Sequence, residues 1–355
     1  MKNLILPMAG KSTRFNTDKP KWMLTHPFSG SYMALASLSG INLREFDKLY
    51  FVFLKAHQEK FNFESGFREQ LIQMGILDKS ELIFLANETD SPAQTVYEAI
   101  KNKDIKGSIF IKDADSYFHC DIGKKGNFVT YISLEKTNMV DAKSKSYIQM
   151  DKFDTINNIV EKRVISSCFS VGGYGFQSAS EFVQTYLDIE TNSREIYISD
   201  IIFQMILNGE QFKGSEATDF EDWGTLESWN RYCKSFNTIF IDIDGTLVEN
   251  SSILFEPYLG SGKPLEENIE LINGRYASNK SIIILTTSRP EYAREQTVME
   301  MEKAKVKYHH LIMGLPHSKR ILINDFSASN QYPTSIAINL PRNSNELSKY
   351  FEELN

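Results

Sequence analysis

The 355-residue chain is 41% hydrophobic and 24% charged, with 24 Phe and 16 Tyr, a balance that supplies globular cores and excludes wholesale disorder. Its net charge of −7 argues against a general nucleic-acid or acidic-membrane binder, so anionic substrates would have to be met by local basic pockets. At this length two domains are the expectation. Cys120, Cys168 and Cys233 show no paired metal-ligand spacing and cannot form a closed disulfide set, which fits a reducing cytoplasm; all three read as structural. The N-terminal MKNLILPMAG is too brief an apolar run for a signal-peptide core, and no stretch reaches the length of a membrane span.

In chain order, strand-like runs at 3–8, 48–54, 81–86 and 107–115 alternate with helical spacing at 67–77 and 93–102. That alternation predicts an α/β fold with a mostly parallel sheet and helices on both faces. Between 127 and 176 the runs shorten (FVTYISL, YIQMD, CFSVGGYGF) and predict added antiparallel strands. Alternation restarts with TIFIDID at 238–244, SIIILTT at 281–287, RILINDF at 320–326 and SIAINL at 335–340, so the expected domains are 1–234 and 235–355.

The loop LPMAGKSTRF, 6–15, comes directly after the first strand, where ligands of open α/β sheets sit. Gly10 lets the backbone approach an anion, and Lys11, Ser12, Thr13 and Arg14 offer amides, hydroxyls and two cations to a polyphosphate. Lys19 and Lys21 come next in DKPKWML, held extended by the prolines. A charged surface loop accounts for Lys19 better than for Lys21.

These residues, followed in order by SPAQTVYEAI (91–100), IKDADSYF (111–118), IVEKRVIS (159–166), VGGYGF (171–176) and EDWGTLESW (221–229), resemble the sugar-phosphate nucleotidyltransferases over roughly the first two thirds of the chain. The resemblance implies a nucleotidyltransferase-type Rossmann-like domain working with Mg²⁺ on a nucleoside triphosphate and a sugar or polyol phosphate. It places Asp115 and Asp222 on the metal, Arg14 and Lys21 on the triphosphate and the leaving pyrophosphate, and Glu161 and Lys162 at the sugar phosphate. Asp113 either shares the face of Asp115 or bonds the ribose. Ser12 stands where the family commonly has a second glycine.

In IFIDIDGTLVEN, 239–250, Asp242 and Asp244 sit two apart at a strand end and project from one mouth, with Gly245 freeing the turn and Thr246 capping the segment after it. The string is similar to motif one of the haloacid dehalogenase-like hydrolases. IIILTTSRP, 282–290, resembles the second motif, with Thr287 as phosphate contact, Thr286 as its rival and Arg289 alongside. RILINDF resembles the fourth, supplying Asp325, with Asn324 where two acids are common; Lys319 is chosen for the lysine of motif three. The resemblance implies a small capless phosphatase in which Asp242 attacks phosphorus, Asp244 protonates the leaving oxygen and then activates water, and Mg²⁺ lies on Asp242, Asp244 and Asp325. The expected protein is a bifunctional cytoplasmic enzyme of surface-polysaccharide precursor synthesis, with homo-oligomerisation open. The competing reading makes one half a binding or regulatory module.

Overall fold

The computed structural model describes residues 1–10, 19–123, 126–137, 141–189, 195–250, 262–325 and 335–352. Lys11, Ser12, Thr13 and Arg14 lie outside these residues, so the expectations for them meet no geometry. The chain divides into two compact units, Met1–Cys233 and Lys234–Asn355.

The strands of the first unit are β1 (Lys2–Met8), β2 (Lys48–Leu54), β3 (Ser80–Leu85), β4 (Ser108–Lys112), β5 (Ser116–His119), β6 (Asn127–Ser133), β7 (Ser146–Met150), β8 (Ile156–Glu161), β9 (Cys168–Phe176), β10 (Phe212–Glu216) and β11 (Thr218–Asp222). Among the described residues the main sheet runs β10-β6-β9-β4-β1-β2-β3, with β7 and β8 attached beside β9. β1 pairs in parallel with both β2 and β4, while β9 runs antiparallel between β4 and β6. The parallel strands are apolar on both sides because both sides are covered. Leu4, Leu6 and Met8 enter one core with Phe51 and Phe53; Ile5 and Ala9 enter the other with Val52 and Leu54. The helix Pro92–Lys103 starts where its sequence directs: Ser91 accepts from the Gln94 amide at 3.1 Å and Pro92 opens the first turn.

β5 and β11 form a separate antiparallel ribbon, Ser116 opposite Asp222, which continues into the helix Leu226–Lys234. Trp223 and Trp229 anchor that exit in a small core with Met33 and Ala36. His26 belongs to the same clamp. Its Nδ1 accepts from the amides of Phe28 (3.3 Å) and Ser29 (3.2 Å), leaving Nε2 to donate to the Tyr232 hydroxyl at 2.8 Å. This is the neutral ring, and burial lowers its pKa from 6.5 to about 4. The stabilisation it contributes is therefore present above pH 6.5 and is lost as the pH falls toward 4. Wild-type melting temperature should fall more steeply between pH 7 and about pH 4.5 than that of His26→Gln; parallel slopes would assign the acid sensitivity elsewhere.

In the second unit β12 (Asn237–Asp242), β13 (Ser281–Thr286) and β14 (His310–Ile312) form a parallel sheet, with helices Glu266–Ala277, Arg294–Lys303 and Leu347–Glu352. Its core gathers Ile241, Ile243, Ile283, Leu285 and Met301. Two expected strands are corrected: 320–325 and 335–340 carry no regular structure, and Ile321, Leu322 and Ile323 are 75, 53 and 88% exposed. An apolar run becomes a strand only with a ladder partner, and among the described residues β12 pairs with β13 alone. β14, a three-residue strand in HHLIM, is too short for its pattern to stand out in the sequence.

Candidate active site

A cavity of about 1130 Å³ opens at the carboxyl ends of β1 and β4 in the first unit. Gly10 lines it and bridges to Thr89 just before the helix Pro92–Lys103. The chain leaves β4 through Lys112, Asp113, Ala114 and Asp115. Lys112 is fully buried and donates to Asp113 O (2.6 Å), Ser116 O (2.7 Å) and Ser116 Oγ (3.0 Å), so one ammonium shapes the turn that carries both carboxylates. Burial lowers its pKa, opposed by Asp113 and Asp115. Burial also raises the Asp113 carboxyl, and the neighbouring Asp115 adds to the rise. The Asp113 amide bonds Gly172 O at 2.8 Å, and Gly172 has φ +91°. A Cβ there would lie 2.6 Å from Asp113 Oδ2, so the glycine leaves room for the acid.

Asp115 and Asp222 reach the same cavity from the two strands of the β5–β11 ribbon, and the Trp223 amide bonds Asp115 O at 2.9 Å. An added Cβ at Gly224 would lie 3.1 Å from Asp222 Oδ1 and 3.5 Å from Asp115 Oδ2, which locates both carboxylates around one point. Each carries a lysine: Lys21 Nζ donates to Asp115 Oδ2, and Lys145 Nζ lies 2.7 Å from Asp222 Oδ2. Two carboxylates suit Mg²⁺, which takes its remaining ligands from water and substrate phosphates. No group of three or more His, Cys, Asp or Glu capable of holding a metal forms among the described residues.

Glu161 and Lys162 also line the cavity, where Ser146 of β7 pairs with Glu161 of β8. Glu161 Oε2 accepts from Ser146 Oγ and, at 3.0 Å, from Ser199 Oγ. Lys162, at φ +57°, donates its Nζ to Tyr197 OH (2.6 Å), which donates in turn to Glu195 Oε2 (2.6 Å). The Tyr197 bond raises the lysine's pKa. The sequence reading missed Lys112, Lys145, Tyr197 and Ser199. Lys112 left a trace, a lysine inside the apolar run SIFIK directly before the acids; KSKS, 143–146, reads as a solvated loop.

In the second unit Asp242 ends β12 with its side chain 36% exposed, 3.2 Å from Arg320. Burial raises its pKa, Arg320 opposes the rise, and Asp244 adds a smaller increase. Gly245 takes φ +85° and turns the chain back, its amide bonding Val248 O at 2.7 Å; Thr246 O receives the Asn268 side chain at 2.8 Å. Arg289 grips Asp244 with Nη2 at 2.7 Å to Oδ1 and Nε at 3.0 Å to Oδ2, while Nη1 bonds Glu300 Oε2 at 2.5 Å. Its side chain is 1% exposed. Thr287 is fully buried and donates to Asp244 Oδ2 at 3.2 Å, and Thr286 donates to Ile241 O at 3.2 Å. Arg289 and Thr287, expected as phosphate contacts, thus orient a carboxylate. Lys319 and Asp325 are exposed on the irregular segment.

No protein-family model and no curated protein matches the chain. Solved structures do. A nucleoside-diphosphate-sugar pyrophosphorylase from Vibrio cholerae RC9 aligns at TM-score 0.53 and 18% identity over 65% of this chain and 99% of its own. The inositol-1-phosphate CTP transferase from T. maritima aligns at 0.50 and 12% over 66% and 94%, and a UDP-glucose pyrophosphorylase complexed with UDP-glucose at 0.51 and 13% over 66% and 98%. About two thirds of the chain therefore shares the fold of sugar nucleotidyltransferases. No helix among the described residues is long and apolar enough to cross a membrane.

Proposed function

We propose that the first unit transfers a nucleotidyl group from a nucleoside triphosphate to a sugar or polyol phosphate and releases pyrophosphate. The observation that carries this is the pair Asp115 and Asp222, each on a lysine, in a cavity that Lys162 also lines. A phosphate oxygen of the acceptor attacks the α-phosphorus and the bond to the β-phosphate breaks, so like charges must be brought together in line. Asp115 and Asp222 would hold Mg²⁺, which would supply the charge neutralisation. Lys21, with Arg14 from the loop outside the described residues, binds the triphosphate; Lys162, aimed by Tyr197, meets the acceptor phosphate. Glu161, fixed by Ser146 and Ser199, accepts from acceptor hydroxyls. Crossing the nucleoside triphosphates with sugar and polyol phosphates, with pyrophosphate and inorganic phosphate read separately, tests this. Pyrophosphate release from no pair above the acceptor-free control would refute it.

For the second unit we infer phosphate-monoester hydrolysis on the placement of Asp242, a half-exposed carboxylate at a parallel strand's carboxyl end beside a cation. Its oxygen would attack phosphorus, the ester oxygen would leave with a proton given by Asp244, and water that returns a proton to Asp244 would release inorganic phosphate from the aspartyl ester. Arg289 and Thr287 fix the Asp244 side chain beside Asp242, where it can serve both halves of that role. Mg²⁺ would sit at Asp242 and Asp244, with Asp325 as the remaining candidate. Together the two reactions would serve the building of surface-polysaccharide precursors in the cytoplasm. Asp242→Asn should abolish phosphate release and leave pyrophosphate release intact. Loss of both activities with the fold preserved would make this unit a regulatory module of the first.

A further inference from the structure

The lysine on Asp222 is assigned by neither the sequence motifs nor the fold likeness. Lys145 and Asp222 are side-chain exposed by only 14 and 11% and lie 2.7 Å apart within the cavity. The same lysine is tied to the acceptor wall through the backbone: its carbonyl accepts from the amide of Lys162 at 2.9 Å, and the next residue, Ser146, pairs with Glu161. Its backbone therefore belongs to the wall that carries Glu161 and Lys162, while its ammonium rests on a carboxylate of the β5–β11 ribbon. A divalent cation that takes Asp222 competes with that ammonium for the same oxygens. Lysine, a compact charge on a flexible four-carbon stem, can move where an arginine fork would be held in its planar pairing.

We infer that Lys145 is an acceptor-phosphate ligand held in reserve on Asp222, freed when a metal ion takes the carboxylate and then turned to the phosphate beside Lys162. This rests on the nucleotidyl-transfer reading of the first unit. It makes metal and acceptor binding mutually reinforcing, since the ion both neutralises Asp222 and releases a cation toward the incoming dianion. It also gives the acceptor phosphate two lysines, Lys145 and Lys162, from adjacent strand ends, which suits a phosphate dianion better than one.

The test uses the full chain and two readouts. First, Mn²⁺ is titrated by electron paramagnetic resonance without nucleotide into wild type, Lys145→Met and Lys143→Met. Lys143 lines the same cavity from the same segment, and its loss is the control for net charge. Lys145→Met should bind Mn²⁺ about threefold or more tightly than wild type and more tightly than Lys143→Met, because only its loss vacates a carboxylate. Second, with glucose 1-phosphate, or whichever sugar phosphate the wild type turns over best, Lys145→Met should raise the acceptor KM about tenfold or more while the triphosphate KM moves less than about threefold. Lys145→Gln should behave as Lys145→Met does. Mn²⁺ affinity unchanged or equal to that of Lys143→Met, or no Mn²⁺ binding by any of the proteins, overturns the inference, as does an unchanged acceptor KM. A wild type that releases no pyrophosphate with any acceptor sinks the transfer reading instead, and the Mn²⁺ comparison then decides whether Lys145 guards the carboxylate.

Discussion

Asp115→Asn is expected to lower pyrophosphate release by about three orders of magnitude, or about 4 kcal/mol of transition-state stabilisation, while phosphate release by the second unit continues. The amide keeps the shape of the carboxylate and removes its charge, so on the proposed reading one of two groups that would hold the metal is lost where a triphosphate and an acceptor phosphate must meet. Lys21 loses its charged partner in the same change, and its ammonium is no longer held by an ion pair at that position. Folding should survive. The Asp115 carbonyl that receives the Trp223 amide is retained, and the Asp115 side chain is only partly buried. Transfer within about threefold of wild type would take the metal away from Asp115, and a melting temperature lowered along with activity would make the residue structural.

Arg289→Met is expected to destabilise the second unit by about 3–5 kcal/mol, because removing one partner of a buried ion network strands the others. Asp244 and Glu300, with side chains 14 and 5% exposed, would be left without the guanidinium that joins them. For a unit of this size that is a fall of roughly 10–20 °C in its calorimetric transition, read in the full chain as the transition that moves while the other stays. Arg289→Lys should recover little, since one ammonium cannot reach both carboxylates with the geometry of a fork. Adding Glu300→Gln to Arg289→Met should recover part of the loss by removing one stranded charge. Additive or harmless substitutions at these positions would show that the network carries no stability.

Most of the first unit was legible because its signals are local. An apolar strand followed by Gly10, an acid-bearing strand end at Asp115 and a capped helix at Ser91 each declare themselves within ten residues. The partnerships were not. That Lys21 meets Asp115, or that Tyr197 aims Lys162, depends on elements far apart in sequence, and no periodicity encodes such a pairing. Lys145 was hidden by its company, since KSKS has the composition of a solvated loop and becomes a cavity wall only through the register of β7 on β8. In the second unit the contacts of the expected site residues were equally hidden. Thr287 and Arg289 stand where the resemblance places phosphate contacts, yet the fold turns both onto Asp244. The runs at 320–325 and 335–340 show the limit of reading strands from apolarity: the pattern states a willingness to pair and names no partner.

The β5–β11 ribbon also sets what the site can tolerate over evolutionary drift. Because Asp115 immediately precedes one of its strands and Asp222 ends the other, the gap between the two carboxylates is written in a ladder of a few rungs that the main sheet does not share. The register already shifts between Thr218 and Glu221, and past that shift Glu221 and Asp222 alternate opposite Tyr117 and Ser116, so a slip of one rung there would carry Asp222 to the far face and bring a neighbour of the wrong chemistry forward. Substitutions that merely soften the large sheet leave this spacing alone. A single inserted or deleted residue between 217 and 222 would leave nearly all of the protein's packing in place and still dissolve the site, so this short stretch is where lineages of such a chain would be least free to change length.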